Sequence, residues 1–229
     1  MEPKGGQGTP RKGVFGQARS EFVPGWLLAL ERNIITRANC KHWIPEVGAG
    51  ISGKRLGIMG TGTIGSAVAQ HATHFGLAVT GLNSKGQSVP GFVTCYSNSH
   101  RFDFAQGLDY LVSLLPSTPA TDGIVDAALL ARMNPGGIFI NAGRGNAVLN
   151  ADLINALQQG PLRYAILDVL EEEPLAQSHA LWNVPGLFIT SHTAAPTPSE
   201  AIPEVFARNL SLFLAGEPMP DALCSERGY

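Results

Sequence analysis

The sequence is poor in charge, in cysteine and in long apolar runs. Only 15% of its 229 residues are charged, against about 25% in an ordinary globular domain. The formal net charge is −2. Nucleic-acid and anionic-membrane binders need a strong basic excess, so neither partner is expected. The three cysteines, Cys40, Cys95 and Cys224, are an odd number, lie far apart and lack metal-ligand spacing. They read as reduced intracellular thiols, and no metal site is expected. No apolar run approaches the roughly 18 residues needed to cross a bilayer. The opening Met-Glu-Pro-Lys-Gly-Gly holds no apolar core of the kind a secretory signal carries. These absences point to a cytoplasmic protein.

What is abundant is glycine: 27 residues where an average of about 7% would give roughly 16. Hydrophobic residues make up 44%, enough to bury a sizeable core and to exclude general disorder. Residues 1–12 are rich in Gly, Pro, Lys and Arg and read as a flexible head. Ser20 looks like the N-cap of a helix reaching about Arg37, with Phe22, Trp26, Leu27, Leu30 and Ile34 at helical spacing and Pro24 in the first turn. Residues 13–46 are thus a connecting helix with its approach.

From Gly53 a β–α alternation sets in. Strands are expected at Arg55–Met59, Leu77–Leu82, Phe92–Tyr96, Leu108–Leu115, Gly137–Asn141, Tyr164–Val169 and Leu187–Thr190. Helices are expected at Ile64–Phe75, Ile124–Met133, Ala151–Gln159 and Pro198–Ala215. Strands alternating with helices pair in parallel through right-handed crossovers, which predicts an α/β fold with a doubly wound, Rossmann-like sheet over residues 47–197. Residues 198–229 form a closing helix and tail.

The first strand runs into Gly60-Thr61-Gly62-Thr63-Ile64-Gly65, a G-x-G-x-x-G at the start of a helix. The first glycine suits the tight turn, the second a close approach to a pyrophosphate, and the third close helix–strand packing. The N–H groups around Thr63 and Ile64 then face the phosphates. In such units an acid ends the second strand and holds the ribose 2′-OH of NAD. Here that strand ends Asn83-Ser84-Lys85, with no carboxylate. Asn83 and Ser84 can donate hydrogen bonds and Lys85 brings positive charge, a loop that attracts a 2′-phosphate. NADP(H) is therefore favoured over NAD(H).

Three more strand ends carry polar groups: Asn141-Ala142-Gly143-Arg144-Gly145, then Asp168 running on to Glu173-Pro174, then Thr190-Ser191-His192-Thr193-Ala194. Open α/β sheets bind ligands at that edge. Arg144 has a planar fork for a carboxylate. His192 can give a proton to a forming alkoxide or take one back. Glu173 can hold the other imidazole nitrogen and favour the protonated ring. Asp168 reads as a positioning group near the nicotinamide. Arg144 between two glycines has little packing support, which suits a functional role better than a structural one. The set suits hydride transfer to a small 2-oxo acid.

From about Gly13 to Leu223 the chain resembles the NAD-binding domain of the D-isomer-specific 2-hydroxyacid dehydrogenases. The resemblance is carried by GVFG followed by Ser20-Glu21, then LLALER, GTGTIG, LVSLLPSTPAT, NAGRG, LDVLEEEPL and SHTAA. It is strongest to the glyoxylate/hydroxypyruvate reductase-like branch. It implies catalytic Arg144, Glu173 and His192, and a cofactor bordered by Leu115, Pro116, Thr121, Ala142, Gly143, Asp168 and Ala194. Formate dehydrogenases of the superfamily carry glutamine where Glu173 stands, which argues against that activity. The resemblance also implies a homodimer built on the Ser20–Arg37 helix and Trp43. Family members begin with a separate substrate domain, most of which this chain is expected to lack, so nucleotide binding is expected to persist with turnover weak or absent. The rival reading is a catalytically inactive NAD(P)-binding scaffold or sensor.

Overall fold

Short apolar runs buried on both faces set the centre of the molecule, a computed structural model that describes residues 16–195 and 201–217. Among the described residues seven parallel strands form one sheet: β1 (Arg55–Met59), β2 (Ala78–Asn83), β3 (Thr94–Ser97), β4 (Tyr110–Ser113), β5 (Gly137–Asn141), β6 (Leu162–Leu167) and β7 (Leu187–Ile189). Their order is β3-β2-β1-β4-β5-β6-β7. The winding reverses at β1, where Leu56 pairs with Val79 of β2 on one side and Tyr110 of β4 on the other. A crevice opens at the carboxyl end of such a switch point.

The helices are α1 (Gly16–Glu31), α2 (Ile34–Asn39), α3 (Thr63–His74), α4 (Arg101–Ala105), α5 (Ala127–Leu130), α6 (Asn150–Gln158) and α7 (Ala201–Ala215). Successive strand residues point to opposite faces. Ile138 and Ile140 therefore join a core with Val23, Leu27 and Val68 from α1 and α3. Phe139 joins the opposite core with Leu129 and Leu153. Covering both faces explains why β5 is buried at every position.

β1 and β5 have the bounds expected of them, and the other five strands fall within two residues of theirs. Two helices differ. Ser20 does not cap α1 but lies buried inside it, and Pro24 sits mid-helix rather than in the first turn. The helix also stops short of Arg37: Asn33 adopts a left-handed conformation (φ 53°), which ends the ladder and separates α1 from α2. The helix expected over Ile124–Met133 shrinks to Ala127–Leu130. Val125 pairs instead with Val148 in a parallel bridge, and the Asp126 carboxylate caps the helix by accepting the Leu129 N–H at 2.7 Å. The residue 1–12 head, the first residues of the Pro198–Ala215 helix, and the tail past Glu217 lie outside the described residues.

α1 carries one buried stripe, Arg19, Val23, Leu27 and Glu31, at four-residue spacing. It is apolar in the middle and charged at both ends. At the amino edge of the sheet, Glu31 Oε1 accepts from the Tyr110 hydroxyl at 3.0 Å and pairs with Arg163 at 3.0 Å. Burial, with the charge and hydrogen bond of Glu31, pushes the Tyr110 phenol well above its ordinary pKa. The phenol therefore stays protonated and donates.

Candidate active site

The glycine-rich turn leaves β1 and enters α3. Gly60 has φ +98°, which an L side chain rarely adopts. A Cβ at Gly65 would collide with the Gly60 carbonyl oxygen, whereas one at Gly62 would meet nothing within 4 Å. The third glycine thus lets α3 lie on the turn, and the second leaves open space above it. The ladder of α3 opens with the Ser66 N–H donating to the Gly62 carbonyl at 2.8 Å. The N–H groups of Thr63, Ile64 and Gly65 lie ahead of it, as at any helix start. Open space faced by free donors fits a dinucleotide pyrophosphate.

Beyond β2, Asn83 organises the next loop. Its Nδ2 donates to Thr61 Oγ1 at 3.1 Å and to the Gln87 carbonyl at 2.8 Å, while its Oδ1 accepts the N–H groups of Lys85 and Gln87. Both amide hydrogens are spent, so Asn83 shapes the loop and leaves Ser84 and Lys85 exposed on it. The loop after β4 is closed by Thr121, which is buried and whose hydroxyl donates to the Pro116 carbonyl at 2.7 Å. Leu115, also buried, opens that loop.

The three polar limbs stand side by side. After β5, a Cβ at Gly143 would press on the Leu115 backbone (2.6 Å to its nitrogen), and one at Gly145 would strike the backbone of Leu170 and Glu171. The two glycines therefore seat Arg144 against both neighbouring limbs, a support that its sequence neighbours alone did not suggest. Asn141 locks the turn through bonds to the Gly143 N–H and the Arg144 carbonyl. The Arg144 guanidinium is exposed and donates to the Gly143 carbonyl at 2.7 Å.

After β6, Asp168 is 2% exposed and clamps the limb that follows β7. Its carboxylate accepts from the Thr190 hydroxyl at 2.6 Å, the Thr193 N–H at 2.7 Å and the Ala194 N–H at 3.0 Å. Its backbone carbonyl accepts the His192 N–H at 2.6 Å. This clamp holds Ser191 and His192 at positive φ (56° and 59°), a strained state that persists only where surroundings enforce it. His192 Nδ1 then meets Glu173 Oε2 at 2.8 Å, and Glu173 Oε1 accepts the Leu170 N–H at 2.9 Å. An ionised carboxylate only accepts, so Nδ1 carries the proton and Nε2 points away from the pair. Burial raises the Glu173 pKa, but the His192 hydrogen bond, the Leu170 N–H and the charges of His192 and Arg144 outweigh it and hold the carboxyl below its ordinary value. Arg144, Glu173 and His192 thus share one field.

One residue of this edge escaped the sequence reading. Arg19 of α1 is buried, and its Nε donates to the Ala142 carbonyl at 3.1 Å. Burial and the charge of Arg144 push its pKa down, while Asp168 pulls it up. The signal was an arginine in line with Val23 and Leu27 on an apolar stripe, where a surface arginine has no place.

Comparison with known proteins agrees with this geometry. The family model for the NAD-binding domain of D-isomer specific 2-hydroxyacid dehydrogenases matches residues 26–194. A glyoxylate/hydroxypyruvate reductase A from Serratia proteamaculans is 38% identical over 162 residues, covering 71% of this chain and 52% of that protein. One from Yersinia enterocolitica is 34% identical over 175 residues, covering 76% and 56%. The chain thus spans about half the length of the curated relatives it matches. Among solved structures, a D-isomer specific 2-hydroxyacid dehydrogenase family protein from Aeromonas salmonicida superposes with a TM-score of 0.90 at 36% identity, over 96% of this chain and 72% of that one. An NADPH-dependent glyoxylate/hydroxypyruvate reductase from Sinorhizobium meliloti, in complex with NADP and sulfate, also gives 0.90, at 28% identity over 99% and 74%. The chain belongs to the D-isomer specific 2-hydroxyacid dehydrogenases through their NAD-binding domain.

Proposed function

We propose that the chain binds NADPH in preference to NADH and reduces a small 2-oxo acid, such as glyoxylate or hydroxypyruvate, to the 2-hydroxy acid. The observation that carries this reading is the 2.8 Å contact of His192 Nδ1 with Glu173, with Arg144 beside it, on the same sheet edge as the Gly60–Gly65 turn. The open space over Gly62 and the leading N–H groups of α3 accommodate a pyrophosphate. Ser84 and Lys85, exposed beyond a strand that ends without a carboxylate, favour a 2′-phosphate. A bound dinucleotide supplies the hydride.

The chain's own groups do the rest. Arg144 takes the substrate carboxylate in its fork and polarises the neighbouring carbonyl. His192 delivers its Nε2 proton to the carbonyl oxygen as negative charge builds there. Glu173 fixes the imidazole by Nδ1 and steadies its positive charge. Asp168 holds the turn that carries His192. The names of the Serratia and Sinorhizobium relatives support the substrate and cofactor chosen.

We also assign residues 13–46 to a connecting and dimerisation arm, 47–197 to the dinucleotide-binding domain, and 198–229 to a closing helix and tail of a cytoplasmic homodimer. Trp43, 90% exposed at the end of the arm, and Val47, 83% exposed where the next domain begins, leave apolar surface for a second copy to cover. Among the described residues no helix is long and apolar enough to cross a membrane. The test is a pair of titrations and a rate. NADPH quenches the protein's fluorescence at lower concentration than NADH, and His192→Ala removes about 10²–10⁴ of whatever hydroxypyruvate reduction the chain shows while leaving NADPH binding unchanged. A preference for NADH, or a variant as active as the wild type, refutes the assignment.

A further inference from the structure

The carboxyl end of β3 carries a polar cluster that the proposed reaction leaves unused. Ser97 Oγ lies 2.8 Å from Ser99 Oγ and 3.0 Å from His100 Nδ1, and Ser99 Oγ lies 3.2 Å from the same nitrogen. Two hydroxyls and an imidazole carry at least three hydrogens, and a chain through the three groups uses two. A hydrogen is left to point outward, from Nε2 where Nδ1 accepts and from a hydroxyl where Nδ1 donates. Ser99 and His100 are exposed. The cluster therefore offers a spare donor at the sheet edge.

The fold sets this cluster beside the loop of Ser84 and Lys85. β2 and β3 run in parallel, with Asn83 opposite Ser97. Gly86, at φ +69°, lays the loop against β3: a Cβ there would lie 3.1 Å from the Ser97 nitrogen and 3.4 Å from its Cβ. Asn83 fixes the same loop through Lys85 and Gln87. Charge in this part of the chain is of one sign. From Val47 to Phe102 there is no Asp or Glu, so the Gly60–Gly65 turn and both of these strand ends are built without a carboxylate. The nearest acid along the chain, Asp103, stands exposed on α4. Asp126 is engaged by Arg101 at 3.4 Å. Among the described residues Lys85 forms no ion pair.

We propose that Ser97, Ser99 and His100 form a second wall of the 2′-phosphate subsite, with His100 as a specificity-determining residue. This rests on the NADPH reading above and adds residues which that reading does not use. Lys85 supplies charge from one limb, and the spare hydrogen of the cluster supplies a directed bond from the other. A phosphate monoester presents three strong acceptor oxygens, enough to meet both limbs at once. A ribose 2′-hydroxyl gains little there, because no carboxylate stands ready to accept its hydrogen. The cluster thus bears on NADPH and leaves NADH indifferent.

The experiment needs no turnover. Dissociation constants of NADPH and NADH are measured by calorimetry on the full chain and on His100→Ala, Ser97→Ala and His100→Arg, with circular dichroism to verify folding. A hydrogen bond to a charged group is worth about tenfold in binding at the low end of its range. His100→Ala is expected to weaken NADPH about tenfold and to leave NADH where it was. Ser97→Ala, which removes a hydroxyl that orients the ring, moves NADPH in the same direction by less. His100→Arg, which keeps a donor and adds charge, binds NADPH at least as tightly as the wild type. Unchanged NADPH affinity in His100→Ala overturns the inference and leaves the NADPH reading standing. Equal losses for NADPH and NADH, or a His100→Arg variant as weak as His100→Ala, overturn it too and make the cluster a packing feature. A wild type that binds NADH as tightly as NADPH sinks the cofactor preference and this inference with it.

Discussion

Two single-methyl substitutions in the Gly60–Gly65 turn separate what the fold needs from what a ligand needs. In Gly65→Ala the new Cβ falls on the Gly60 carbonyl oxygen, with the Gly60 carbonyl carbon at 3.0 Å and Ile58 Cγ2 at 3.4 Å. Neither the turn nor the helix can yield as a flexible side chain would, so the cost lies at the upper part of the roughly 1–3 kcal/mol typical of overpacking. The gain in helix propensity, about 1 kcal/mol, offsets part of it. A net loss of about 1–2 kcal/mol lowers the melting temperature by roughly 2–8 °C for a domain of this size. In Gly62→Ala the Cβ meets nothing within 4 Å, and the backbone (φ −71°, ψ −163°) is extended, open to any residue. The poorer N-cap costs up to about 1 kcal/mol, and the less flexible unfolded chain returns about 0.4–1 kcal/mol. The two nearly cancel, so the melting temperature stays within about 2 °C. The methyl does fill the space proposed for the pyrophosphate, so NADPH affinity falls in both variants. Differential scanning calorimetry and an NADPH fluorescence titration read the two effects. Wild-type affinity in Gly62→Ala, or an unshifted transition in Gly65→Ala, refutes the reasoning.

Three further outcomes test other parts of the structure. Tyr110→Phe removes the hydroxyl that donates to Glu31, and urea denaturation should show a loss of about 1.5–3 kcal/mol, the range for hydrogen bonds to charged groups; no change would mean that Arg163 alone satisfies Glu31. Asp168→Asn sets an NH₂ among the donors of Thr190, Thr193 and Ala194, so hydrogen exchange in residues 190–194 should accelerate while strand β5 stays protected. The carboxyl of Glu173 is held below its ordinary value of 4.5, so its stabilisation is complete above that pH and disappears as pH falls through the lowered value. The pair is half-exposed and worth at most about 1 kcal/mol. The melting difference between wild type and Glu173→Gln should therefore be small at pH 7 and vanish at the acid end; a difference that grows on acidification contradicts the sign.

Legibility in the sequence followed the range of the interactions. β1 and β5 were readable because burial on both faces turns a strand into a plain apolar run. The Gly60–Gly65 turn was readable because its chemistry is local, and the Arg144, Glu173 and His192 limbs because strand ends share one sheet edge. Long-range contacts were not readable. The helix break at Asn33 depends on a left-handed residue that is not glycine. The packing roles of Gly143 and Gly145 depend on the backbones of Leu115 and Leu170, far along the chain in opposite directions. Arg19 reaches Ala142 across 123 residues, so only the misfit of an arginine on an apolar stripe announced it.

The two charged ends of the α1 stripe make that helix self-registering. Arg19 and Glu31 are twelve residues apart, about 18 Å along an ideal helix, and each is matched to a different edge of the sheet. A slip of one residue would turn both side chains by about 100° and carry them about 1.5 Å. Arg19 would leave the Ala142 carbonyl, and Glu31 would leave Tyr110 and Arg163. The apolar residues between them, Val23 and Leu27, could tolerate a small slide, since hydrophobic contact is not directional. The terminal charges cannot. α1 therefore has one seat on the sheet, and the position of the positive charge near Asp168 is dictated from the opposite edge, by a tyrosine and an arginine that never approach the site.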